Sequence, residues 1–227
     1  SDLLIMRHYE KGLAEKMAWS LSNTERPVPI INAGSGKDEH PTQALLDIYT
    51  LQRSFEKQGG IDNKTVVFVG DLERGRTVRS LSKLLIKYKN VRQVFVAPDE
   101  LQISSDILEI LDENGTEYSL SNDFKKAIPE ADAIYMTRIQ DEWDDATKGS
   151  SKIDITGFSF NASDLQDLKA NAVIMHPLPR RCEIDVDVDP DRRAVYWRQV
   201  RNGMWASVAL IAHIFDATNT IRAFHGQ

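Results

Sequence analysis

Five short apolar runs in the last two thirds of the chain, at residues 65–69, 91–96, 116–120, 133–136 and 173–175, alternate with stretches of helical period. That alternation confines the chain to an α/β architecture. Helices are expected at about 75–88, where Val78, Leu81, Leu84 and Leu85 recur on one face, at 104–114 between Ser104 as cap and Gly115 as stop, at 123–128 and at 162–168. Strand, helix and strand in succession imply a parallel sheet with right-handed crossovers. A shorter version of the pattern precedes it, with strands at 3–6 and 28–31 and helices at about 10–21 and 40–58, and Gly59-Gly60 separates the two. The expectation is two lobes, each a parallel sheet flanked by helices: residues 1–58, residues 59–200, and a C-terminal helix within 201–227 that packs back on the first lobe with Met204, Val208, Ile211, Ala212 and Phe215 on one face. A cleft between such lobes is a default place for a small ligand.

The stretch His40-Pro41-Thr42-Gln43-Ala44-Leu45-Leu46-Asp47-Ile48-Tyr49-Thr50-Leu51 reads as a polar loop entering an amphipathic helix. Pro41 suits a first helical position because its missing N–H would have had no partner there. Leu45, Leu46, Ile48, Tyr49 and Leu51 are expected to form the buried face. His40, Thr42 and Gln43 then project from a helix N-terminus, where free N–H groups and the positive dipole end favour an anion. An ordinary capped helix with an exposed histidine fits the same twelve residues. Arg7 and His8 follow the first strand directly, at the end of a sheet where α/β folds collect ligand groups.

Three further constellations could carry chemistry. Gly70-Asp71-Leu72-Glu73-Arg74-Gly75-Arg76-Thr77 lies between strand and helix with P-loop glycine spacing, but with Arg in place of Lys and two acidic residues inside the loop, which suits a triphosphate poorly. The loop can instead present Arg76, whose fork matches a carboxylate, or Arg76 can pair with Glu73 on the surface. Arg138 and Gln140 follow the strand at 133–136; Glu142 could orient Arg138, and a solvated charged loop over 138–149 is the plainer reading. His176-Pro177-Leu178-Pro179-Arg180 is a rigid turn in which an X-Pro bond can be cis, and it can offer backbone carbonyls at a fixed place, with His176 itself a satisfied strand-end histidine.

Composition excludes several classes. A net charge of -6 argues against a nucleic-acid surface, and no apolar run approaches the length of a membrane helix. A single cysteine, Cys182, rules out an internal disulfide and fits the cytoplasm. The five histidines have no metal-ligand spacing, so no metal is expected. Trp143, Trp197 and Trp205 read as packing residues, and 183–191 as an acidic, solvated segment.

The segment His40 to Asp47, Gly70-Asp71-Leu72 with Gly75-Arg76-Thr77-Val78, Met136-Thr137-Arg138 with Gln140, and Met175-His176-Pro177-Leu178-Pro179-Arg180, in this order and spacing, resemble aspartate carbamoyltransferase catalytic chains. Met6-Arg7-His8 and Asn202-Gly203-Met204 add to the likeness, which extends over nearly all 227 residues. The resemblance implies transfer of the carbamoyl group of carbamoyl phosphate to the amine of L-aspartate, a step of pyrimidine synthesis, without cofactor or metal, by a homotrimer that can carry regulatory or other pyrimidine-pathway chains. It assigns Arg7 to the phosphate and carbonyl oxygen, His40 to the carbonyl oxygen, Gln43 to the carbamoyl amide, Arg76 and Arg138 to the two carboxylates of aspartate, and Gln140 with the carbonyls of Leu178 and Pro179 to amine and amide protons. An ornithine-specific relative would read His-Cys-Leu-Pro at the turn and carry Ser-Met-Gly, whereas this chain has Pro177 and no Ser-Met-Gly. The family's phosphate loop, Ser-Thr-Arg-Thr-Arg, and its lysine-bearing loop belong upstream of Arg7 and are not among these residues, so the first lobe is expected to be incomplete. A non-catalytic homologue that binds a dicarboxylate or a partner chain is the alternative.

Overall fold

The computed structural model describes residues 1–36, 38–138 and 156–225. The chain opens with β1 (Leu4–His8), α1 (Leu13–Ser22) and β2 (Ile30–Ser35). β1 and β2 form a two-stranded parallel sheet, with Leu4 beside Ile30 and Ile5 beside Ile31. β2 runs past the expected end at residue 31 because pairing continues through Met6–Asn32 and, after a register shift, His8–Ser35. α2 (Pro41–Phe55) follows, ending in a 3-10 turn (Glu56–Gln58) before Gly59.

The second lobe is built by β3 (Thr65–Val69), α3 (Arg76–Leu85), β4 (Arg92–Val96), α4 (Ser105–Glu113), β5 (Tyr118–Ser121), α5 (Phe124–Ala127), β6 (Ala133–Met136) and β7 (Val173–Met175). Its sheet is five-stranded and parallel, in the order β5-β4-β3-β6-β7. Both faces are covered, which is why Val66 to Val69 can be apolar without alternation. Val66 and Phe68 face one cluster, where Phe68 stacks on Phe95 at 5.3 Å beside Leu81 and Leu85 of α3. Val67 and Val69 face another, with Ile134, Met136, Phe124 and Phe160. The expected helix at 162–168 is a 3-10 turn (Ala162–Gln166), closed by a reciprocal cap between Asn161 and Asp164.

α6 (Tyr196–Ile214) starts five residues earlier than expected and is followed by α7 (Thr218–His225). α6 packs against α2, and here the apolar-stripe reading is corrected. The buried side of α2 is Ala44, Asp47, Thr50, Leu51 and Phe55, while Leu45 and Tyr49 are exposed. α6 buries Tyr196, Gln199, Asn202 and Ala212, while Met204, Val208 and Phe215 are exposed. Trp197 and Trp205 are about half exposed rather than core. The seam between the helices is polar: Asn202 Nδ2 donates to Thr50 Oγ1 (2.9 Å) and Gln199 Nε2 to Asp47 Oδ1 (2.7 Å). A polar position can hold a buried site when each polar atom finds a partner, and periodicity alone does not register that.

The acidic segment at 183–191 is corrected too. Glu183, Ile184 and Val188 are buried, and Asp189 pairs with Arg180 at 2.5 Å and accepts a hydrogen bond from Tyr196. Among the described residues, no helix is long and apolar enough to cross a membrane.

One glycine ties the sheet to its loops. Gly70, directly after β3, has φ +118°, and a Cβ there would lie 2.4 Å from the carbonyl oxygen of Thr137 and 2.6 Å from its hydroxyl. Gly70→Ala is therefore expected to destabilise the fold by about 2 kcal/mol or more, through both backbone strain and displacement of the 137–138 segment. Urea unfolding checks this, and a loss under about 0.5 kcal/mol, the range of ordinary surface substitutions, would contradict it.

Candidate active site

The sheet order reverses between β3 and β6, since the chain moves outward from β3 to β4 and β5 and then returns to β6. A crevice forms at the carboxyl ends of strands at such a point. The loops after β3, β6 and β7 meet there, and the first lobe contributes the end of β1 and the start of α2. Together they enclose a cavity of about 220 Å³. Arg7, His40, Gln43, Arg76, Arg138, Leu178 and Pro179, all singled out from the sequence, line this one cavity. Gln140 and Glu142 lie outside the described residues. Thr77, Thr137 and Asp71 also line it and carried no separate sequence signal.

His40 is the N-cap of α2. Its backbone N–H donates to Ser80 Oγ of α3 (2.9 Å), which fixes the helix entrance against the second lobe. Its Nδ1 accepts from the Gln43 N–H (3.4 Å) and lies 3.3 Å from Thr42 Oγ1. With Nδ1 accepting, the neutral ring carries its hydrogen on Nε2 and is a donor there. Burial, and after it the Arg76 and Arg7 charges, push the His40 imidazolium down to about 4. Near neutral pH the ring is therefore uncharged.

Arg76 begins α3, where its Nη1 donates to the Gly36 carbonyl (3.1 Å) across the lobes. Gly34 leaves room for that crossing, because a Cβ at its φ of +128° would lie 3.1 Å from Arg76 Nη1. Burial and the Arg7 charge hold the Arg76 guanidinium below its ordinary value. The loop before α3 closes on Asp71, which is fully buried and accepts the Arg74 N–H (3.0 Å). A loop folded around its own carboxylate does not present a cradle of amides to a triphosphate, contrary to the P-loop spacing.

His176 is a satisfied strand-end histidine, as the sequence suggested. Its Nε2 lies 2.7 Å from Glu183 Oε1, and its Nδ1 accepts the Leu178 N–H (2.8 Å). The ring thereby holds the turn whose Leu178 has φ +52° and whose Leu178–Pro179 bond is cis.

Behind the cavity lies a group that the sequence reading passed over. Asp47 has no exposed surface and accepts three hydrogen bonds: Gln43 Nε2 (2.9 Å) and Gln199 Nε2 (2.7 Å) at Oδ1, and the Tyr135 hydroxyl (2.7 Å) at Oδ2. Burial raises its carboxyl to about 7 against the opposing effect of those bonds. The one available signal was a carboxylate placed four residues after Gln43, on the same helical face.

Two family models match the chain. Residues 1–53 match the carbamoyl-P binding domain of aspartate/ornithine carbamoyltransferases, and residues 62–214 match the Asp/Orn binding domain. The aspartate carbamoyltransferase catalytic subunit of Aliivibrio fischeri is 43% identical over 219 residues, covering 96% of this chain and 68% of that protein. The chain belongs to the aspartate carbamoyltransferase family. The subunit from Vibrio vulnificus is 44% identical over 216 residues, covering 95% of this chain and 67% of its own length. Aspartate transcarbamoylase from Trypanosoma cruzi, solved with carbamoyl aspartate and phosphate, superposes with a TM-score of 0.79 at 37% identity, over 93% of this chain and 65% of that one. The same enzyme with N-(phosphonacetyl)-L-aspartic acid gives 0.80 at 37% identity. This chain thus spans about two thirds of the length of these family members.

For this family member the state of His40 is open to direct measurement. A base whose value falls on folding binds fewer protons folded than unfolded between about pH 4 and 6.5, so its contribution to stability is complete above 6.5 and is lost as pH falls through 4. In a pH titration followed by NMR, the His40 ring signals should hold their neutral positions down to about pH 5. A midpoint near 6.5 would contradict the burial and the arginine field.

Proposed function

We propose that this site transfers the carbamoyl group of carbamoyl phosphate to the amine of L-aspartate, giving N-carbamoyl-L-aspartate and phosphate. The observation that carries the reading is the meeting of Arg7, Arg76 and Arg138 with a neutral His40 and with Gln43 around one small cavity. Three guanidinium groups suit a phosphate and two carboxylates, whereas an amino acid with a cationic side chain would be repelled. His40 Nε2–H donates to the carbonyl oxygen as charge grows on it during attack by the amine, and Arg7 supports the same oxygen and the phosphate. Donors preorganised in this way contribute roughly 3–4 kcal/mol each. Gln43 accepts from the carbamoyl NH2. Arg76 and Arg138 hold the aspartate carboxylates with forks suited to two-point contact. The Leu178 and Pro179 carbonyls, with Gln140, accept hydrogen bonds from the amine and the carbamoyl NH2, and as the C–O bond to phosphate breaks the departing phosphate takes the proton that the amine loses.

The reading extends to a homotrimer in which a neighbouring chain adds to each site, to a place in pyrimidine synthesis, and to the cytoplasm, where the exposed free thiol of Cys182 is stable. Formation of carbamoyl aspartate by the full natural chain tests it. His40→Ala is expected to lower kcat by about 10²–10³ with little change in aspartate affinity. Arg138→Ala should chiefly raise the aspartate KM, by about 10–100-fold for a lost charged contact. The reverse pattern in the two variants would overturn these roles, and no product from the folded wild-type chain would overturn the activity.

A further inference from the structure

The Tyr135 hydroxyl takes up Asp47 Oδ2, so Oδ1 is an acceptor whether the carboxyl is charged or carries a proton on Oδ2, and an amide that meets Oδ1 must turn its NH2 toward it. Two amides do. Gln43 gives its Nε2 to Asp47 Oδ1 (2.9 Å), which leaves Oε1, the acceptor end, for the cavity that Gln43 lines. Gln199 gives its Nε2 to the same oxygen (2.7 Å), and its Oε1 accepts the His176 N–H (2.9 Å). His176 in turn receives the Leu178 N–H and starts the turn that carries the Leu178 and Pro179 carbonyls. A single buried carboxyl group thus sets the polarity of two amides, and both chains of contact end in residues that line the cavity.

We propose that Asp47 is a positioning residue that makes this cavity selective for a ligand bearing N–H donors beside its carbonyl, a carbamoyl rather than an acyl group. The inference rests on the reading of the site as a carbamoyl-transfer centre. Without Asp47 the Gln43 amide is free to turn over and offer a donor, which would meet a carbamoyl NH2 donor to donor. The Tyr135 hydroxyl, which donates to Asp47 Oδ2 (2.7 Å), holds the carboxylate plane from the sheet side. A site built to hydrogen-bond a substrate N–H rejects the analogue lacking it because its own acceptor is left unpaired.

The test compares carbamoyl phosphate with acetyl phosphate, in which a methyl replaces the NH2. The ratio of the acetyl phosphate Ki to the carbamoyl phosphate KM is measured for the full natural chain, for Asp47→Asn and for Asp47→Leu. Asparagine keeps one oxygen that accepts from both amides while its NH2 donates to Tyr135, so Asp47→Asn should hold the ratio within about threefold. Leucine offers no acceptor, and the ratio should fall by about tenfold or more. An Asp47→Leu protein that unfolds cooperatively and keeps the wild-type ratio would overturn the proposal, as would an equal loss in both variants. A second measurement does not require the leucine variant to fold. In the wild type and in Asp47→Asn, the Gln43 side-chain NH2 protons should exchange slowly with water in NMR spectra, and rapid, solvent-like exchange in the wild type would overturn the proposal. Absence of carbamoyl-aspartate formation by the wild type would instead reject the functional reading, while the Gln43 signals still decide the geometry.

Discussion

The two lobes are joined through a seam of carboxylate, hydroxyl and amide groups, and the rest of the structure depends on how these pair. Asp47 and Thr50 of α2 face Gln199 and Asn202 of α6, and every one of these side chains is buried. Apolar side chains could pack along such a seam in several registers, whereas buried polar groups tolerate only the register that satisfies them. The seam therefore sets where the front end of α2, with His40 and Gln43, stands against the turn after β7. Four apolar side chains of the same helices, Leu45, Tyr49, Trp205 and Leu210, instead line a surface groove of about 390 Å³.

The second dependence is topological. A parallel sheet with the order β5-β4-β3-β6-β7 brings the loops after β3 and β6 side by side at their carboxyl ends. Arg76 and Arg138 leave those two loops, so their proximity follows from the strand order. Arg7 and His40 come from the other lobe, and the Arg76 bond to the Gly36 carbonyl and the His40 bond to Ser80 cross between the lobes directly beside the cavity. Positioning and binding groups are therefore interleaved, and small displacements of one lobe would be felt by ligands held between them.

Much of this was legible in the chain. The strands at 133–136 and 173–175 stand at the positions their apolar runs indicated, because both faces of the sheet are covered and nothing polar interrupts them. The cavity residues were legible because each sits at a strand end or a helix start, where local sequence decides geometry. The helix faces were not. Apolar periodicity assumes that burial follows hydrophobicity, and on α2 the buried stripe runs through Asp47 and Thr50 while Leu45 and Tyr49 face outward. Glu183 was misread for a related reason: an acidic run suggests solvent, but this carboxylate returns seven residues along the chain to His176, a pairing that only the folded turn brings about. Asp47 escaped notice because its partners, Gln199 and Tyr135, are remote in sequence.

The electrostatics of the cavity decide between two ways in which His40 could act. An imidazolium would be the stronger donor to a developing oxyanion, but it would be a further cation beside Arg7 and Arg76, in a place where burial already disfavours charge. Anions bound to the guanidinium groups offset the arginine repulsion and raise the proton affinity of the ring by linkage. They do not restore its hydration, and burial is the largest single cause of the lowered value. Burial of the His40 ring therefore favours its neutral form whether or not the arginines are occupied. The Gln43 N–H at Nδ1 keeps its hydrogen on Nε2 without a carboxylate behind the ring. Burial comes first in holding His40 neutral and the Arg76 and Arg7 charges add to it, so the arginines that line the cavity also weigh on the charge of the ring.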